Sequence, residues 1–397
     1  MYQSKIAYIS FDTVPSPKGA AVHIIAFSRA LAAAFDGIEL VTVSPTTECI
    51  YTEKFAPQIM QTMLPALGDN LIQRILYFRN LLWVWLRKKR FEAVHIRSIY
   101  EGYVIALNKQ QYCDKLIFEV NGLPSIELKY RYPKVVEDGE LLHKLYAQEQ
   151  ICLAAADLIV TPSSVTSAYL QNRGVSANKI RVIPNGVDLD VFSYYANVTA
   201  TPKNKLQILY FGILSPWQGV NLAIAALALI NRDIPACLTV IGQARNDQIK
   251  ILKQLADKLE VADKLNILAP IPQPELVKFI HAADVILAPL TPNDRNLVQG
   301  CCPLKILEGM ATGTPVIASD LPVVRELGED GGHFLLVKPG SAKAIKDAVL
   351  RLQSEPELAS QLAANARSRI EQYYTWNRAG ESLINAYTEL GIKPVNS

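Results

Sequence analysis

The sequence predicts an α/β protein built from two doubly wound domains, and three observations carry that expectation. The chain has 397 residues, too many for one ordinary domain and comfortable for two of about 150–200 each. Short apolar runs alternate with longer segments of helical period, the mark of parallel βα units. The alternation breaks at 191–206, where Ser, Tyr, Asn, Thr and Pro follow neither period, and then resumes. Half of the residues are hydrophobic and 19% are charged, so a large buried core is expected rather than a disordered chain.

In the first half, strands are expected at 5–10, 38–43, 93–97, 115–120, 157–161 and 179–183, with helices at 21–34, 71–90 and 141–155. The opening Lys5-Ile-Ala-Tyr-Ile-Ser10 reads as a first strand, not as a charged leader followed by a secretory apolar stretch. The second series starts near Gln207 with Ile208-Leu-Tyr-Phe211. It continues through strands at 236–241, 265–268, 284–288, 315–318 and 333–337, with helices near 219–231, 246–260, 273–282 and 303–311. A last helix is expected at 377–390. The domain limits that follow are 1–190, a linker at 191–206, a second domain at 207–375, and a C-terminal helical segment at 376–397.

Composition excludes several classes. A net charge of +3 gives no sign of a nucleic-acid binder. The six cysteines form no CxxC pair and no cluster with histidine, against a zinc site or a disulfide framework and in keeping with a reducing cytosol. No stretch reaches the ~18–20 uncharged apolar residues of a spanning helix. A soluble cytoplasmic protein with no metal and no cofactor is expected.

Open parallel sheets bind ligands at the carboxyl ends of their strands, and a cleft between two such domains is the natural active site. The first such loop is Pro15-Ser-Pro-Lys-Gly-Ala-Ala21. Gly19 and Ala20, small residues at a helix start, let backbone N–H groups approach an anion or a sugar hydroxyl. An ordinary turn reads the same way, and no GxGxxG is present.

The stretch Ala155-Ala-Asp-Leu-Ile-Val-Thr-Pro-Ser163, followed by Lys179-Ile-Arg-Val-Ile-Pro-Asn-Gly-Val-Asp188, resembles the inter-domain segment of the retaining family-4 glycosyltransferases. Physically, Pro184-Asn185-Gly186 is a tight turn that ends a strand. The resemblance continues in Phe211-Gly-Ile-Leu-Ser-Pro-Trp-Gln-Gly-Val220, similar to the family's glycine loop, and in Val240-Ile-Gly242. Ala282-Ala-Asp-Val-Ile-Leu-Ala-Pro289, Pro303-Leu-Lys-Ile-Leu-Glu-Gly-Met-Ala311 and Gly313-Thr-Pro-Val-Ile-Ala-Ser-Asp320 resemble its donor-binding signature. The match covers essentially the whole chain and is weakest between 45 and 115.

This resemblance implies a GT-B fold: two Rossmann-like domains facing each other across a cleft, the first on the acceptor side, the second binding a nucleotide-sugar. The C-terminal helix crosses back to the first domain. Glu308 is expected on the ribose hydroxyls, since a carboxylate accepts from two adjacent hydroxyls at once. Lys305, three residues earlier on the same helical face, is expected near the diphosphate. A dipole-stabilised surface carboxylate and a solvated lysine are the plainer readings of the two. Gly212, Gln218, Gly219, Gly242, Arg295 and Leu307 complete the expected donor site. The resemblance also implies transfer with retention and without a metal, to a saccharide or lipid-linked acceptor.

Four side chains of the family pattern are absent. The glycine loop's arginine and lysine are replaced by Ile213 and Gln218, and the first signature glutamate by Gly300. The first-domain histidine is replaced by Asn121, beside Glu119, which is expected to supply polar contacts to the acceptor. Losing preorganised charged donors costs roughly a hundredfold each unless something replaces them, and Lys305 and Arg295 are the expected replacements. A nucleotide-sugar epimerase and a catalytically silent nucleotide-sugar-binding subunit are the alternatives.

Residues 71–90 are apolar and aromatic with a basic end, Arg87-Lys-Lys-Arg90. That pattern fits an interfacial helix touching anionic lipid, a peripheral contact at the inner face of the plasma membrane. It equally fits a helix covering the first sheet.

Overall fold

The computed structural model describes residues 5–45, 49–195 and 205–395. The chain divides into two compact units, Met1–Pro184 with Gln299–Cys301 and Trp376–Ser397, and Asn185–Val298 with Cys302–Thr375. Most of the expected linker, at 196–204, lies outside the described residues.

The first unit's strands are β1 (Ile6–Ile9), β2 (Ile38–Val43), β3 (Tyr51–Ala56), β4 (Ile59–Leu64), β5 (Phe91–Ile96), β6 (Cys113–Glu119), β7 (Leu158–Thr161) and β8 (Ile180–Val182). They form one sheet in the order β3-β4-β2-β1-β5-β6-β7-β8. Every neighbouring pair is parallel except β3 with β4. Ile6-Ala-Tyr-Ile9 is buried throughout, because both faces of such a sheet are covered by helices and its strands read as runs rather than alternations. All six expected strands are present, β5 and β6 starting two residues early. The β3–β4 hairpin was not foreseen: β3 is an exposed edge strand, Tyr-Thr-Glu-Lys-Phe-Ala, without an apolar run to announce it.

The helices of this unit are α1 (Gly19–Ala34), α2 (Leu71–Leu86), α3 (Ile99–Leu107), α4 (Lys109–Tyr112), α5 (Pro124–Arg131), α6 (Gly139–Ala155) and α7 (Ser164–Asn172). The helix expected at 71–90 stops at Leu86, so its basic run follows the helix rather than ending it.

The second unit pairs β9 (Leu206–Phe211), β10 (Ala236–Ile241), β11 (Leu265–Leu268), β12 (Val285–Ala288), β13 (Val316–Ser319) and β14 (Leu335–Val337) in the order β11-β10-β9-β12-β13-β14. All pairs are parallel. Its helices are α8 (Val220–Ile230), α9 (Asn246–Lys258), α10 (Gln273–Ala282), α11 (Leu304–Thr312), α12 (Pro322–Arg325), α13 (Ala342–Ser354) and α14 (Pro356–Tyr373). The final helix, α15 (Trp376–Glu389), belongs to the first unit, where Leu383, Ala386 and Tyr387 share a core with Ile24, Phe27 and Leu31 of α1.

Candidate functional site

In the second unit the strand order reverses between β9 and β12, the switch point at which doubly wound sheets bind ligands. Gly212, directly after β9, lies so close to Lys305 that a Cβ there would stand 3.4 Å from Nζ. The same ammonium sits 3.9 Å over the Tyr210 ring. Gly242, after β10, cannot be another residue, since its Cβ would lie 1.7 Å from the Gly212 carbonyl oxygen. Gly219 is equally constrained, since a Cβ there would lie 1.8 Å from the Pro289 carbonyl oxygen.

The loop after β12 is tied to this glycine loop. The Trp217 carbonyl accepts from Thr291 N (3.1 Å) and Asn296 Nδ2 (3.0 Å). The Arg295 guanidinium stacks 3.9 Å over the Trp217 ring. Gln218 is buried, and its Oε1 has no hydrogen-bond partner among the described residues. Ile213, where the family pattern has arginine, is 46% exposed, and its carbonyl accepts from the Tyr210 hydroxyl.

Helix α11 is buried from Lys305 to Thr312 and brings Lys305 and Glu308 into this neighbourhood. Its N-cap, Pro303, supplies no side-chain cap, so the first backbone N–H groups are unsatisfied by the cap and suit an anion. Gln273 Nε2 donates to Glu308 Oε1 at 3.5 Å. Burial pushes the Glu308 carboxyl up to about 7, with Gln273 and Lys305 pulling the other way. Leu307 is fully buried, so only its backbone is available to a ligand. An ammonium and a helix start for an anion, with a carboxylate for two hydroxyls, is a set of groups suited to a nucleoside diphosphate.

The first unit gathers a second polar cluster at the carboxyl ends of the adjacent strands β1, β5 and β6. Glu119 ends β6 with 1% of its side chain exposed. Its oxygens accept from Tyr8 Oη (2.6 Å), His95 Nε2 (3.0 Å) and Arg97 Nε (2.8 Å), and from Asn121 Nδ2. His23 Nε2 stands 3.0 Å away. Burial alone would raise this carboxyl; Arg97 and then His23 outweigh it and hold Glu119 well below the usual range. An ionised carboxylate only accepts, so His95 donates from Nε2 and its Nδ1 accepts from the Tyr387 hydroxyl at 2.8 Å. Burial lowers the His95 pKa, keeping that ring neutral.

Glu119 was expected to contact the acceptor. It is too buried for that, and acts instead by fixing Arg97 and Asn121. Gly19 and Ala20 open α1, whose N-cap Lys18 makes no side-chain cap bond. Gly300 belongs to the first unit. It has φ +86°, and a Cβ would meet Ser163 Oγ and Thr166 Oγ1 at 2.7 Å. The neighbouring Gln299 is fully buried, accepting from Leu123 N (2.9 Å) and donating to Glu127 Oε1 (2.8 Å). The absence of a glutamate at 300 is therefore a packing requirement. Sequence reading missed Tyr8, Asp12, His23, His95, Arg97, Asn296 and Tyr387. His95 inside the apolar run Phe91–Ile96 was the available signal, because a polar residue in a two-sided strand needs a partner.

Two family models match the chain: Glycosyltransferase Family 4 over residues 17–191 and Glycosyl transferases group 1 over 194–369. A D-inositol 3-phosphate glycosyltransferase of Pseudarthrobacter chlorophenolicus is 24% identical, over 96% of this chain and 94% of that protein. One from Geodermatophilus obscurus is 26% identical over 75% of this chain and 66% of its own length. Among solved structures, the sucrose-phosphate synthase of Thermosynechococcus elongatus superposes with a TM-score of 0.81 at 22% identity, over 97% of this chain and 98% of that one. Anabaena HepE in complex with UDP-glucose superposes with a TM-score of 0.72 at 16% identity, over 97% and 99%. These likenesses identify the two parallel-sheet units as a GT-B fold.

Proposed function

The chain belongs to the group 1 glycosyltransferases of the GT-B fold, and from that premise we propose that it transfers a sugar, with retention and without a metal, from a nucleoside-diphosphate sugar bound at Lys305 and Glu308. The observation that carries this reading is the pairing of those two side chains, 6% and 9% exposed, on one buried helix beside Gly212. Glu308 accepts from the ribose hydroxyls; Lys305, the start of α11 and Arg295 face the diphosphate. Gly212, Gly219 and Gly242 let the backbone approach it, with Gln218 and the Leu307 backbone alongside.

In the transfer step the bond from the anomeric carbon to the diphosphate oxygen breaks, and the diphosphate leaves with the electron pair. The acceptor hydroxyl attacks on the same face and passes its proton to the departing phosphate oxygen. Stabilising charge on that leaving group is the main task of Lys305. Gly19, Ala20 and Asn121 serve the acceptor. The acceptor is a saccharide, free or lipid-linked, used in cell-surface polysaccharide or glycolipid assembly. The outer face of α2 supports a lipid contact: Ile72, Leu76, Tyr77, Trp83 and Val84 are exposed, and exposed Arg87 and Lys88 follow the helix. Aromatic and basic residues together suit an anionic interface.

The test is thermal unfolding with UDP, GDP, ADP and their sugars. A ligand at 100 times its Kd stabilises by roughly 2.7 kcal/mol. A shift with one base that is lost in Glu308→Ala supports the site and sets the donor. No shift with any nucleotide overturns it in favour of a silent subunit.

A further inference from the structure

The cluster around Glu119 reaches the protein surface through one side chain that neither the family pattern nor the donor chemistry accounts for. Arg97 Nε is held by Glu119, and its Nη1 donates to Asp12 Oδ2 at 3.1 Å. Ser10 Oγ donates to the same Asp12 oxygen at 2.9 Å. Asp12 Oδ1 accepts no hydrogen bond among the described residues, and the side chain is 40% exposed while Arg97 is 7% and Glu119 1%. Below them Glu101, fully buried, accepts from Arg97 N (2.8 Å), Ser98 N (2.6 Å) and Phe11 N (3.3 Å). It thereby pins the loop after β1, which carries Asp12, to the loop after β5, which carries Arg97. The result is a fixed carboxylate presented at the carboxyl ends of β1 and β5.

We propose that Asp12 is a specificity-determining residue of the acceptor side, accepting from a hydroxyl of a neutral sugar or polyol and turning away acceptors phosphorylated at that position. The inference rests on the glycosyltransferase reading above and deepens it. Its physical basis is charge balance. A phosphate site needs a cation with charge to spare, as a bidentate guanidinium has. Arg97 has already given two of its N–H groups to two carboxylates, Asp12 and Glu119, and so has little charge to spare for a phosphate. A hydroxyl meets an ideal acceptor there; a phosphate meets repulsion, which is selection by exclusion. The curated relatives named for D-inositol 3-phosphate would differ from this chain in that respect.

The experiment uses the full chain saturated with the nucleotide that stabilises it, and two pairs of probes: myo-inositol with its 3-phosphate, and fructose with its 6-phosphate. Binding is read by thermal shift and titration calorimetry at low and high salt. Wild type is expected to bind a neutral member at least tenfold more tightly than its phosphorylated partner. Asp12→Asn, nearly the same shape, should lose that preference or reverse it, with the ligand-free melting temperature unchanged; a merely structural role would not change the ratio. Tighter binding of a phosphorylated probe by wild type, lost in Arg97→Gln, overturns the proposal. So does a preference untouched by Asp12→Asn, or a panel in which no probe binds. If nucleotide still shifts the protein in a Glu308-dependent way, only this inference has failed; if it does not, the reading beneath it has failed as well.

Discussion

Nucleotide-sugar binding should strengthen as pH rises through about 7, and Glu308 is the reason. Burial raises its carboxyl from 4.5 to about 7 in the free protein. Accepting two ribose hydroxyls requires the ionised form, so the bound state favours the carboxylate. At pH 6 about one free molecule in ten is ionised at Glu308, and at pH 8 about nine in ten. Apparent affinity is therefore about tenfold weaker at pH 6 than at pH 8, or about 1.4 kcal/mol. The ligand-free protein behaves oppositely: a raised folded pKa means that the native state holds the proton longer than the unfolded chain. The favourable contribution is complete below about 4.5 and is lost as pH climbs towards 7.

Calorimetric titration with an intact nucleotide-sugar, whose diphosphate does not titrate in this range, measures the effect. In buffers of different ionisation enthalpy, nearly one proton should be released per ligand at pH 6 and about a tenth at pH 8. Glu308→Gln should bind more weakly with no pH dependence over the same interval. A wild-type Kd that is flat from pH 6 to 8, or an equal slope in Glu308→Gln, refutes the argument.

Restoring the family glutamate by Gly300→Glu should destabilise rather than activate. Left-handed backbone costs a side chain about 1–2 kcal/mol and the overlap with Ser163 and Thr166 about 1–3 more, measurable by urea unfolding. Glu119→Gln should cost about 3–5 kcal/mol at pH 7, because it leaves the buried Arg97 guanidinium short of a charge partner. Since the Glu119 pKa is depressed, its stabilisation is present above the unfolded value and lost as pH falls through the folded one; unfolding at pH 7 and in acid checks the direction. Lys305→Met should weaken nucleotide-sugar binding by roughly tenfold, and Ile213→Arg, at an exposed position, should recover part of it in the same background. Anionic vesicles should carry the protein upward in flotation at low salt, zwitterionic ones should not, and Trp83→Ala with Arg87→Gln should release it.

Both sheets were legible because their strands are buried on two sides and read as apolar runs bounded by turns. Where burial is one-sided or absent the signal fades. Tyr51–Ala56 is an exposed edge, and nothing in its composition separates it from a loop. The glycine loops of the second unit were legible, since close backbone approach forces glycine at 242 and leaves a motif behind. The polar cluster of the first unit was not. Glu119 could be noticed at a strand end, but its function depends on groups brought from β1, α1, β5 and α15, as distant in sequence as Tyr8 and Tyr387.

Two of the departures from the family pattern, at 300 and 213, have different physical origins. Gly300 is fixed by the contact of its backbone with Ser163 and Thr166, so no carboxylate could occupy the position without moving α7. Ile213 is exposed and unconstrained, and its change from arginine removes charge without a packing cause. Lys305 lies against Gly212 and on the Tyr210 ring. Its ammonium is buried at the start of a helix, where a phosphate's field is poorly screened and each contact counts for more than at the surface. On the proposed donor reading, this one buried cation would stand in for the charge missing at the exposed position 213 and the buried position 218.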